Sequence, residues 1–124
     1  MFKALPADAS TEATEHWWHQ RLTAGANLLL LLWFVLSIAL LGLQADLSVK
    51  TLTGWVAQTM VAIPLLLLVG STLYHARLGL QVFTEDYSKG ASRALVLVLV
   101  NFFVLAVGIW AVFSILKLAL PAAA

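Results

Sequence analysis

His75 stands in a run of otherwise apolar residues, where an ionisable ring is costly unless it has a task. Ser71 lies four residues before it and Gly79 four after, so at helical spacing all three share a face, with Asp86 eleven residues on and nearly in line. Small residues on either side of an imidazole open a flat slot. Such a slot suits a planar macrocycle ligated through the ring nitrogen, since haem iron commonly takes histidine axial ligands. It equally suits a neighbouring helix, with Ser71 and Gly79 allowing close approach and His75 hydrogen-bonding across the interface. Spacing alone leaves both readings open. Tyr87 follows Asp86, about 18 Å along a helix from His75. A phenol beside a carboxylate can donate a hydrogen bond to a carbonyl oxygen and help relay a proton, which is what quinone reduction needs. The pair is also ordinary aromatic-belt and loop material. His16 and His19 flank Trp17 and Trp18, which read as interfacial anchors, and no third metal ligand lies near the two histidines. Arg21 is either a charge that marks topology or a partner for the carboxylate of a buried cofactor.

The elements that must carry these residues follow from composition. The chain has 124 residues, 62% hydrophobic and 10% charged, with a mean hydropathy of +0.96. A soluble domain carries about a quarter charged residues, so the solvent of this chain is lipid and a soluble enzyme is excluded. A helix needs roughly 20 apolar residues to cross about 30 Å of hydrocarbon. Three such spans are predicted, over about 22–43, 55–82 and 94–120. A short polar connection over Gln44 to Gly54 and a polar stretch from Phe83 to Arg93 separate them. Pro64 should kink the second span without ending it, and the third should end near Pro121. Residues 1–20 form a polar segment with interfacial aromatics that does not read as a signal peptide, and residues 21–120 form one anchor domain. The alternating ten-residue segments of a membrane β-barrel are absent. The expectation is an all-α membrane protein with three transmembrane helices. Lys3, Arg21, Lys89 and Arg93, with Arg77 able to snorkel there too, fall on one side, and Lys50 and Lys117 on the other. The N-terminus is therefore expected in the cytoplasm, or in the matrix of a mitochondrion, with the C-terminus on the opposite side. Without cysteine the chain holds no iron–sulfur cluster, and a net charge of +1 gives no hint of a nucleic-acid partner.

The run His75-Ala76-Arg77-Leu78-Gly79-Leu80-Gln81-Val82-Phe83-Thr84-Glu85-Asp86-Tyr87 closely resembles the signature of the small cytochrome b anchor, the D subunit, of succinate dehydrogenase, respiratory complex II. His16-Trp17-Trp18-His19-Gln20-Arg21-Leu22-Thr23-Ala24 is similar to the way that family leads into its first helix. The resemblance implies that His75 is an axial ligand of haem b, the second being a histidine of a companion anchor subunit; the slot that Ser71 and Gly79 open by their spacing would then be the haem slot. It also implies that Arg21, and less directly His16, sit near the haem propionates. Tyr87 would hydrogen-bond the ubiquinone carbonyl, with Asp86 the acid beside it. The partners implied are the companion cytochrome b anchor, an iron–sulfur subunit, a flavoprotein subunit and membrane lipids. Electrons from succinate, in the tricarboxylic acid cycle, would pass to ubiquinone and the respiratory chain. An independent point agrees: His75 is the only histidine within a predicted span, so a second axial imidazole must come from another polypeptide. The chain is expected to catalyse nothing alone. A short N-terminus without an Arg-rich presequence points to a bacterial inner membrane, the mitochondrial inner membrane being the alternative. The rival readings are a cofactor-free structural or assembly protein and an antenna-type protein holding a chlorin on His75.

Overall fold

The computed structural model describes residues 7–120, with side chains from Thr11 onward; Lys3 and Pro121, used above for orientation and for the end of the third span, lie outside the described residues. All regular structure among the described residues is helical: α1 Ala7–Gln44, α2 Val49–Val56, α3 Thr59–Tyr87 and α4 Ala91–Ala119. The three long helices are long and apolar enough to cross a membrane. α1, at 38 residues, runs about 57 Å, well beyond the roughly 30 Å of hydrocarbon. Its first turns therefore have the length to reach into the headgroup region and water.

Three boundaries differ from expectation. The residues from Thr11 to Gln20, expected as a polar segment ahead of the first span, continue α1 without a break, because no glycine or proline interrupts them and a helix satisfies their backbone at the interface. The connection over Gln44 to Gly54 contains α2, which starts where the Ser48 hydroxyl accepts from the Thr51 amide at 3.2 Å. Trp55 consequently belongs to α2 rather than to the second span, and its ring stacks on Trp33 of α1 at 6.4 Å and 16°. Finally, α3 runs on to Tyr87, so Asp86 and Tyr87 occupy its last turn rather than a loop. The helix also runs through Pro64, which has no amide proton to donate to the preceding turn.

α3 lies between α1 and α4, which do not approach each other. Its central place shows in burial: Val61, Ala62, Leu68, Leu78 and Thr84 of α3 are buried, and among the other described residues only Ile115 is. Gly108 lets α4 come close, since a Cβ there would sit 3.3 Å from Leu73 Cδ1. The turn from α3 to α4 is made by Gly90, with φ 67° and ψ −138°, a conformation open essentially to glycine.

Candidate functional site

Polar residues recur every fourth position along α1 as His19, Thr23 and Asn27, which places them on one face of the helix. That face meets α3. Asn27 Oδ1 accepts from Thr72 Oγ1 at 3.4 Å, the Thr23 carbonyl accepts from Ser71 Oγ at 3.4 Å, and a Cβ on Gly79 would stand 3.9 Å from Gln20 Nε2. Positions on α3 rise as those on α1 fall, so the helices run antiparallel and in fixed register. Within this seam His75 Nδ1 and Thr23 Oγ1 share a hydrogen bond of 3.0 Å, and His19 Nδ1 shares one of 2.8 Å with the Tyr74 hydroxyl.

His75 is half-buried and borders an open cleft of about 420 Å³ lined also by Trp17, Gln20, Arg21 and Ala24. The Arg21 guanidinium carbon lies 4.9 Å from the centroid of the Trp17 ring, a cation–π contact that holds a positive charge at the same cleft as the imidazole. The fourth wall residue, Ala24, is small. The arrangement offers one imidazole, one cation and an aromatic wall on a single open side of the helix pair.

Of the residues singled out from sequence, His75 and Arg21 come together here and His16 does not. His16 borders a neighbouring cleft of about 510 Å³ with Glu12, Gln81 and Glu85, and Trp17 and Gln20 line both spaces. Ser71 and Gly79 flank His75 on the side that meets α1. Asp86 and Tyr87 lie apart, about 18 Å further along α3. Both are exposed; the Tyr87 ring leans on Phe83 with centroids 4.6 Å apart. Neither the Tyr87 hydroxyl nor the Asp86 carboxylate has a hydrogen-bond partner among the described residues, whereas Glu85 beside them accepts from Gln81 and pairs with Arg93 at 3.3 Å. Among the described residues no three His, Asp or Glu side chains group to hold a metal ion by themselves. Another groove, of about 550 Å³, lies between α3 and α4 and is almost wholly apolar apart from Tyr74 and Arg77, whose Nε donates to Asn101 Oδ1.

Comparison with known proteins decides the family. A family model described as succinate dehydrogenase/fumarate reductase transmembrane subunit matches residues 7–117. The chain belongs to this family. It is also 35% identical over 85 residues to the succinate dehydrogenase hydrophobic membrane anchor subunit of Rickettsia bellii, a match covering 68% of this chain and 66% of that one, just under two thirds of the relative's length. No solved structure matches the chain. Within this anchor family, the matched range takes in both the Trp17–Ala24 wall of the cleft and the whole of α3.

Proposed function

We propose that this chain anchors a succinate dehydrogenase in the membrane, shares one haem b with a companion anchor subunit and contributes to a ubiquinone site. The observation that carries the proposal is His75: an imidazole within a span, with one nitrogen engaged by Thr23, at an open cleft that also holds Arg21. Haem, when bound, supplies a one-electron relay. His75 would hold the iron through its other ring nitrogen, and Arg21, stacked on Trp17, would neutralise a propionate. His16, in the neighbouring cleft, adds a more distant polar group on the propionate side. Ser71 and Gly79 keep the surface flanking the ring low, so that α1 and a flat ligand can both approach.

Tyr87 and Asp86 form the second half of the proposal. The Tyr87 hydroxyl donates to a quinone carbonyl oxygen, and Asp86 passes a proton as the quinone takes up two electrons and two protons. The excess of Lys and Arg at one end, with Arg21, Lys89 and Arg93 there against Lys50 and Lys117 at the other, supports a cytoplasmic position for the first end, or a matrix one in a mitochondrion. The electrons would come from succinate through a flavoprotein and an iron–sulfur subunit.

A second reading has its own support, because His75 and Ser71 both hydrogen-bond to Thr23 and could serve helix packing in a cofactor-free protein. Spectroscopy separates the two. In membranes carrying His75→Leu, the low-spin six-coordinate haem signal and the b-type α band are expected to disappear, while His16→Leu retains them. An unchanged spectrum in His75→Leu overturns the ligand assignment.

A further inference from the structure

Thr23 has one hydroxyl proton and three neighbours. Its Oγ1 lies 2.8 Å from the His19 carbonyl oxygen, 3.1 Å from that of Gln20 and 3.0 Å from His75 Nδ1. The carbonyls can only accept, so the proton has somewhere to go on α1 itself, at the shorter of the two distances. Once it is spent there, the lone pairs of Oγ1 face His75, and the Nδ1 of the ring must be the donor. The neutral imidazole carries one proton; placed on Nδ1, it leaves Nε2 with a bare lone pair. The reverse arrangement, with the hydroxyl donating to Nδ1, would put the proton on Nε2 and leave the ring unable to ligate. Among the described residues Thr23 Oγ1 is the only acceptor paired with His75 Nδ1.

We infer that Thr23 is a positioning residue for His75: by accepting from Nδ1–H it fixes the tautomer and the plane of the ring that would present Nε2 to haem iron. The inference rests on the reading of His75 as an axial ligand. Ser71 braces the arrangement from α3, since its hydroxyl donates to the Thr23 carbonyl and ties the same turn of α1 to the turn below His75. Two consequences follow. The ring plane is set by α1, a helix that carries no ligand, so the orientation of the imidazole depends on the α1–α3 register. An imidazole that donates from Nδ1 is also the more basic ligand, which favours ferric over ferrous iron and lowers the midpoint potential.

The test uses the assembled complex in membranes. Thr23→Val keeps the branched shape and deletes the acceptor, Thr23→Ala deletes it with no possible clash, and Thr23→Ser restores it. Loss of a group that orients a metal-bound histidine lowers metal affinity by about 10- to 100-fold. Haem content per assembled complex is therefore expected to fall in Val and Ala, the residual haem to show an upward shift in midpoint and altered low-spin g values, and Ser to return all three toward wild type. A merely structural Thr23 would change the yield of complex and leave midpoint and g values alone; that result overturns the inference. Failure of the underlying reading looks different. It would appear as wild-type complex without b haem, or as haem unchanged in His75→Leu, whereas loss of haem in His75→Leu with wild-type haem content, midpoint and g values in Thr23→Val and Thr23→Ala removes this inference alone.

Discussion

Tyr87 is 77% exposed at the last turn of α3, and its hydroxyl meets none of the described residues. A phenol that served the fold would be expected to find a partner or to bury its ring. Here only Phe83, one turn back, supports it. Tyr87→Phe keeps that ring contact and removes the donor, so assembly and haem should survive while succinate-to-quinone electron transfer slows. One hydrogen bond to a partly buried acceptor is about 1 to 3 kcal/mol, or roughly fivefold to somewhat over a hundredfold when it acts mostly in the transition state. Electron flow to an artificial acceptor that draws electrons before the quinone serves as the internal control and should stay near normal. A wild-type rate with ubiquinone and unchanged inhibitor sensitivity in Tyr87→Phe would make the residue an interfacial anchor. His75, by contrast, could be picked out from its neighbours in the chain. Its partner Thr23, 52 residues away, was missed, because the pairing depends on the register of two helices; the signal that could have found it is the four-residue recurrence of His19, Thr23 and Asn27 along α1.

Between elements, the turn from α3 to α4 isolates a backbone effect from side-chain packing. Gly90 has φ 67° and ψ −138°, and a Cβ added there would meet nothing within 4 Å. Gly90→Ala thus carries backbone strain without a clash, at a cost of order 1–3 kcal/mol. Gly54 supplies the opposite case: it lies within α2, also with open space around a new Cβ, so Gly54→Ala should be neutral or stabilise by about 0.5–1 kcal/mol. Thermal unfolding of the purified complex should show a lowered midpoint for the first and an equal or raised one for the second; equal midpoints would mean that the Gly90 turn is not held in this conformation. The spans themselves were legible because hydropathy accumulates over some twenty residues and tolerates an occasional Thr, Asn or His. Their ends were not. A helix that reaches the interface can continue through residues such as His16 to Arg21 or Thr84 to Tyr87, since its backbone bonds stay satisfied whatever the side chains. The α2 segment was hidden for a different reason. Ser48, Thr51 and Gly54 have the composition of a loop, and its short length leaves it dependent on docking, which the stacking of Trp55 on Trp33 provides.

As a whole, the molecule is a single layer of three long helices with α3 in the middle, and it encloses almost nothing. It exposes 9506 Å², where a compact soluble chain of 13.4 kDa would expose roughly 6,500 Å². Much of the excess is apolar: Leu28 and Leu29 on α1 and Phe102 and Trp110 on α4 are each at least 70% exposed. Lipid can cover such surfaces, but lipid cannot ligate iron. The cleft at His75 is open, and His75 is the one imidazole among the residues that line it. Coordination of iron by two histidines then requires a second polypeptide, and the layer has the exposed faces to receive one. The chain produced alone is therefore expected to insert into membranes yet hold no six-coordinate low-spin haem, and co-production with the companion anchor subunit should restore the signal. Reduced-minus-oxidised spectra of the two membrane preparations, normalised to the amount of this chain, make the comparison. A full b-type signal from the chain alone would mean that the far ligand is supplied by another copy of His75, and the companion would lose its place in the haem site.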